Sequence, residues 1–327
     1  MSPKLGSMVS PFDVSLLRRG DLADEGIGSH ALDRMVASSE LRRVRPGVYV
    51  RDEDVRMLTP EGRIVVRARA LCAVSRVAPV FSHLTAAAIL GLPVYGWHAV
   101  TLDAILSPER PGAAAGVVRH RGQLAAGDVV GVGDLTCTSL VRTVADIART
   151  AGFTPAVCAV DAALRQVAHP KQGTYLTDRA EAFRETAREV VGRSAHGRTR
   201  AQRALAFADG RAQLPGESVS RILLAELGFA RPSLQVRVEG PRGEDYFVDI
   251  GLDDVNSFGE FDGESKYTDE ALRSGRTVEQ VLLAEKQRED WIRGRTQRRF
   301  ARWGWAHIRS ARDLGARLIS FGIVPPR

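Results

Sequence analysis

Cysteine is scarce in this 327-residue chain: Cys72, Cys137 and Cys158 stand far apart, with no CxxC pair and no paired-histidine spacing. That excludes a zinc cluster of the usual spacing and leaves three small residues expected to be buried as hydrophobes. Long apolar runs are missing too. No stretch approaches the roughly 20 apolar residues that cross a bilayer. The opening "MSPKLGSMVSPFDV" lacks the charged-then-apolar layout of a signal peptide, so a cytoplasmic protein without a membrane partner is expected. Lysine is rare as well. Lys4, Lys171, Lys266 and Lys286 are the four, and arginine supplies the rest of the 46 basic residues.

The composition is that of a globular protein, and the length exceeds the usual single domain, so two or three domains are expected. A formal charge of +7 favours a polyanionic partner. Its distribution is more informative: Lys286 to Arg312 carries nine basic residues against Glu289 and Asp290, whereas residues 1–56 carry nine basic and nine acidic groups. The former is a candidate phosphate-facing stripe, because clustered Lys and Arg gain affinity by releasing counterions. An ordinary solvated surface is the alternative.

Along the chain, Ser10-Pro11 predicts an N-cap and helix start, Gly20-Asp21 a break and restart, and Gly26-Ile27-Gly28-Ser29 a turn leading into "SHALDRMVASSEL". That helix is expected to bury Leu32, Met35 and Val36 and to expose His30, Asp33, Arg34 and Ala37. "LRRVRPGVYVR" then places a Pro-Gly turn between two short strands. Helix, turn, helix and basic hairpin is the layout of a winged helix-turn-helix, with Arg34 on the groove helix and Arg42, Arg43 and Arg45 on the wing as candidate DNA contacts. A small protein-contacting module is the rival.

Residues 57–170 alternate helices and short strands, and no catalytic constellation stands out in them; His83 reads as a structural or capping histidine, and Asp146 and Asp161 as packing or helix-surface carboxylates. Residues 171–213 read as an Arg- and Ala-rich helical connector broken at Gly197. Arg193, Arg198, Arg200 and Arg203 lie close together in it, and the sequence leaves open whether they touch DNA.

From Leu214 the order becomes helix, three strands, helix, strand. Glu260 and Asp262 share a face of one strand, and a hairpin through "LDDVNS" can bring Asp249 beside them. Converging carboxylates from adjacent strands suit Mg²⁺ or Mn²⁺, which can activate water and stabilise the charge on a cleaved phosphodiester. Lys266 stands near them, a compact cation in a chain that otherwise uses arginine. Read alone, "FDGESKY" is a turn; the order of Glu217, Asp249, Glu260-Phe-Asp262 and Lys266 across helix, strand and strand favours a site instead. Arg288 and Arg293, on the helix that follows, are candidates for the DNA backbone. Trp303 and Trp305 are expected in the core.

Two resemblances follow from these motifs. "ELRRVRPGVYV", "FSHLTAAAILGLP" and "TSLVRTVADIAR" together resemble the AbiEi-type antitoxin family, which implies a winged-helix N-terminus that represses its own operon beside a nucleotidyltransferase toxin. The order Glu217, Asp249, Glu260-Phe-Asp262, Lys266 resembles the PD-(D/E)XK nuclease superfamily, in particular the branch similar to very-short-patch repair endonucleases. On that match Asp249 and Glu260 are metal ligands, Glu217 and Asp262 support them, and Lys266 takes the catalytic lysine's role. The E-x-K lysine position is Asp262 here, and the branch's histidine is Lys266.

The sequence thus predicts an α/β (α+β) protein: a winged helix-turn-helix at 1–56, an antitoxin-like domain at 57–170, the connector at 171–213, and a restriction-endonuclease-like domain at 214–327. DNA is the expected partner, with a neighbouring nucleotidyltransferase toxin and a homodimer as further options. Metal-dependent DNA hydrolysis and metal-free repression are the two functions in competition.

Overall fold

A computed structural model describes residues 10–96, 101–105, 115–263 and 277–326. It is a mixed α/β protein with three sheets, and no helix among the described residues is long and apolar enough to cross a membrane. The chain divides into two compact units, one formed by residues up to Ala159 with Arg184–Ala206, the other by Val160–Phe183 with the residues from Phe207 onward.

The first unit opens differently from the expected helix. Ser10 accepts the Phe12 amide on its Oγ (3.3 Å) and the Asp13 amide on its carbonyl (2.9 Å), which closes a turn at Pro11 instead of starting a helix. Strand β1 (Leu17–Arg18) leads into helix α1 (Arg19–Asp24), which runs through Gly20 where a break was expected. Helix α2 (Ser29–Ala37) follows a turn in which Gly26 has φ 84°, and Gly28 occupies the cap position. Strands β2 (Leu41–Arg45) and β3 (Val48–Arg51) form the hairpin, and the antiparallel sheet has the order β1-β3-β2. Gly47, at φ 78°, follows Pro46 in the hairpin turn and takes the left-handed conformation that a side chain resists. Leu22, Leu32, Leu41 and Tyr49 form the core beneath, with Met35 and Val36 packed against it. His30, Asp33, Arg34 and Ala37 are left outside, as the periodicity predicts.

After α3 (Asp52–Arg56), helix α4 (Pro60–Val74) starts at Thr59, whose Oγ1 accepts the Gly62 amide at 3.1 Å. Strands β4 (Val80–Phe81), β5 (Leu102–Ile105), β6 (Val117–His120), β7 (Val129–Val132) and β8 (Leu135–Thr138) form a sheet ordered β6-β5-β4-β8-β7. Parallel neighbours β4 and β8 each run straight into a helix, α5 (His83–Ile89) and α6 (Leu140–Thr150). Phe81, Leu102, Leu135 and Cys137 of the sheet meet Ile64, Val65, Ala68 and Leu71 of α4 in one core. The chain then passes between units within α7 (Phe153–Ala168), α8 (Thr177–Gly192) and α9 (Arg198–Phe207).

The second unit carries α10 (Pro215–Glu226), β9 (Ser233–Glu239), β10 (Asp245–Leu252), β11 (Ser257–Phe261), α11 (Val278–Thr296), β12 (Arg299–Trp303) and α12 (Ala311–Ile319). The sheet order is β12-β11-β10-β9; β9, β10 and β11 form an antiparallel meander, and β12 returns parallel to β11 after the α11 crossover. Trp303 is 1 % exposed, its Nε1 donating to Ser220 Oγ at 2.8 Å, whereas Trp305 is 39 % exposed and packs edge-on against Phe261, outside the expected core position. Gly259 makes room for Trp303, because a Cβ there would lie 2.1 Å from the indole.

Candidate functional site

Asp249 and Glu260 come together because β10 and β11 pair with Ile250 opposite Gly259. Asp249 Oδ2 accepts the Phe261 amide at 3.1 Å, and Oδ1 accepts Gln235 Nε2 from β9 at 3.3 Å. Glu260 is buried, and its neighbour on the parallel strand is Arg302. Arg288 Nη2 donates to Glu260 Oε1 at 2.8 Å, while Arg302 Nη2 lies 3.1 Å from Oε2. Glu285 joins both arginines, 3.5 Å from Arg288 and 2.9 Å from Arg302, and Glu289 approaches Arg302 at 3.0 Å. Burial alone would lower the pKa of Arg288, but the charge and hydrogen bond of Glu260 and the charge of Glu285 raise it above the ordinary arginine value. Arg302 is raised in the same way against its burial.

Glu217, on the first turn of α10, is 2 % exposed and accepts the Gln213 amide on Oε2 at 2.9 Å. Asp262 follows the end of β11, and Lys266 lies outside the described residues. Both Glu260 oxygens face guanidinium groups, and both Asp249 oxygens accept protein donors. In this arrangement the described carboxylates do not fit a resident divalent cation, which would have to displace a like-charged arginine from Glu260. Among the described residues no group of three His, Cys, Asp or Glu side chains is placed to hold a metal ion.

The predicted cationic contacts fall into two sets. Arg34 and Arg43 are exposed and have no carboxylate within ion-pair distance among the described residues. Arg42 is committed to Asp52 at 2.6 Å, and Arg45 donates to the Ala115 carbonyl at 3.0 Å. On α11, Arg288 serves Glu260, and Arg293 is held by Glu289 at 2.7 Å and by the Phe300 carbonyl at 3.0 Å.

Sequence reasoning named Asp146 and Asp161 as packing or helix-surface carboxylates but missed the arginines that make them two buried charge centres. In the first unit Arg142 bridges Asp128 and Asp146, both at 2.8 Å, and Arg149 adds a second bond to Asp146. Nearby, His83 sits at φ 50° with its ring stacked 3.5 Å from that of His120, whose Nε2 is 2.7 Å from Asp103 Oδ1. Desolvation, reinforced by His120, pushes the His83 pKa down to about 3. In the second unit Asp161 meets Arg221 and Ser218, each at 2.7 Å, and accepts the Asp209 amide at 2.7 Å. The only available signal was an arginine and an aspartate on helices otherwise rich in alanine, leucine and valine.

The N-terminal segment places two helices, α1 and α2, before an antiparallel hairpin, with Arg34 exposed on α2 and Arg43 exposed on β2. In the comparison with protein families, residues 12–51 match the model described as "Transcriptional regulator, AbiEi antitoxin", ending at the last residue of β3. No curated protein matches the chain.

Proposed function

We propose that this chain is a DNA-binding transcriptional regulator of antitoxin type. In this reading the N-terminal segment is a winged helix-turn-helix, and the second unit is a restriction-endonuclease-like fold that contributes binding rather than cleavage. The carrying observation is the pair of exposed cations Arg34, on α2, and Arg43, on the hairpin, within the segment that the antitoxin-regulator family matches. In this reading Arg34 reads a base edge in the major groove and Arg43 contacts phosphate. The family likeness supports a toxin encoded nearby as the protein partner.

Fluorescence anisotropy with the gene's own promoter and a scrambled duplex tests this. Arg34→Ala should lose about 1–3 kcal/mol on the promoter and narrow the gap to the scrambled site, while Arg43→Ala should weaken both equally. Equal, salt-insensitive binding by all three proteins would refute the reading.

A second reading, metal-dependent endonuclease, is favoured by one observation: three antiparallel strands, a helix and a parallel fourth strand carry Asp249 and Glu260 side by side, the order expected of that superfamily. Cleavage would require Arg288 and Arg302 to leave Glu260. Incubating supercoiled DNA with Mn²⁺, beside Glu260→Ala, decides between the readings.

A further inference from the structure

The basic runs of this chain differ in what neutralises them. In the run from Lys286 to Arg312, four of the nine basic residues, Arg288, Arg293, Arg298 and Arg302, are ion-paired, to Glu260 and Glu285, Glu289, Asp253, and the three glutamates respectively. The run from 190 to 208 holds four arginines and one histidine and no acidic residue.

Its geometry is fixed by the body of the first unit. Gly197, at φ 70°, turns the chain between α8 and α9 so tightly that a Cβ would lie 2.1 Å from the Arg149 carbonyl oxygen at the end of α6. Arg200 donates to the Thr150 carbonyl at 3.3 Å, and the Arg203 guanidinium lies 4.6 Å from the centre of the Phe153 ring. These contacts orient the two arginines without cancelling their charge. Arg193 is half-exposed and reaches Asp128 at 2.9 Å, in a network where Arg142, Arg149 and Arg193 share two carboxylates, Asp128 and Asp146. Arg198 is exposed and has no carboxylate within ion-pair distance among the described residues. The first turn of α9 contains no acid, so its arginines face the positive end of the helix dipole, an arrangement that repels itself until an anion arrives.

We propose that Arg193, His196, Arg198, Arg200 and Arg203 form a second contact for the phosphate backbone of duplex DNA, distinct from the α2–hairpin segment. The proposal rests on the DNA-binding reading above. Oriented guanidinium groups, those of Arg198, Arg200 and Arg203 without a carboxylate partner among the described residues, are what a repeating phosphate array recognises without reading sequence. An acidic protein would be the competing occupant of the same cations.

The test is anisotropy of the full chain on a random-sequence duplex over a salt series, with Arg198→Gln/Arg203→Gln, Arg198→Lys/Arg203→Lys and Arg43→Gln compared. Unchanged thermal melting identifies variants that keep the fold. The glutamine pair should weaken binding about tenfold and lower the slope of log K against log salt by about 2, with the lysine pair close to wild type. A glutamine pair that binds as wild type while Arg43→Gln is weakened would overturn the second contact and leave the regulator reading standing. Weakened capture of a polyglutamate peptide with unaltered duplex binding would reassign the face to an acidic protein. No duplex binding by any of the proteins, wild type included, would overturn both readings.

Discussion

Glu260 on β11 and Arg288 on α11 are joined at 2.8 Å across the face of the second unit's sheet, and both side chains are largely withdrawn from water. The carboxylate that sequence order marks as a metal ligand is therefore already neutralised by the protein. Buried ion pairs of this kind are costly to break from one side only, because the surviving charge stays desolvated.

Replacing Arg288 by Met should lower unfolding stability by about 1–3 kcal/mol, less than the 3–5 kcal/mol of an isolated buried pair, since Arg302 remains beside Glu260. Urea denaturation measures it. The Glu260→Gln/Arg288→Met double variant should recover part of the loss, and strictly additive losses would show that the pair is uncoupled.

Arg221 and Asp161 are each about 2 % exposed, and they meet at 2.7 Å. Arg221→Met should cost about 3–5 kcal/mol, because Asp161, whose pKa burial already raises, loses its nearest positive charge. A loss under about 1 kcal/mol in chemical denaturation would contradict this account.

His83 gives a pH prediction. Its folded pKa of about 3 lies below the ordinary histidine value of 6.5, so the unfolded chain takes up a proton that the folded chain refuses. The neutral form's contribution is intact above about pH 6.5 and declines toward pH 3, with a slope approaching about 1.4 kcal/mol per pH unit. Asparagine tolerates positive φ, so His83→Asn keeps the backbone while removing the titration. Its stability curve between those pH values should be flatter than wild type, and parallel curves would exclude His83 as the source.

Gly259→Ala should destabilise by more than about 1 kcal/mol and shift the tryptophan emission, because the added methyl enters the space of the Trp303 indole. Wild-type emission and an unchanged melting temperature would be inconsistent with that packing.

Much of the architecture was legible from local pattern. The α2 stripe of Leu32, Met35 and Val36, the Pro46-Gly47 turn and the strand run "DYFVDIGL" each appear where period and turn chemistry place them. Ser10-Pro11 failed because a serine that closes a two-residue turn and one that caps a helix share the same sequence signal. Glu260 was legible as a site position but not as an ion pair, since Arg302 reaches it through parallel pairing with β12 and Arg288 through the crossover helix. Neither relationship has a local signature. The same holds for Asp161 and Arg221, sixty residues apart.

The discontinuous make-up of the first unit bears on how the protein is made. Residues 184–206 belong to that unit, so it lacks part of itself when Ala159 leaves the ribosome. At about 5–20 residues per second, synthesis then runs for a few seconds more before the unit can close. During that interval the sheet is present without its α8–α9 segment, and Asp128 awaits Arg193. Nascent chains stalled just before and just after residue 206 emerges should therefore differ sharply in protease resistance across the first unit, and a frameshift in that short stretch would strip the fold from sequence translated long before it.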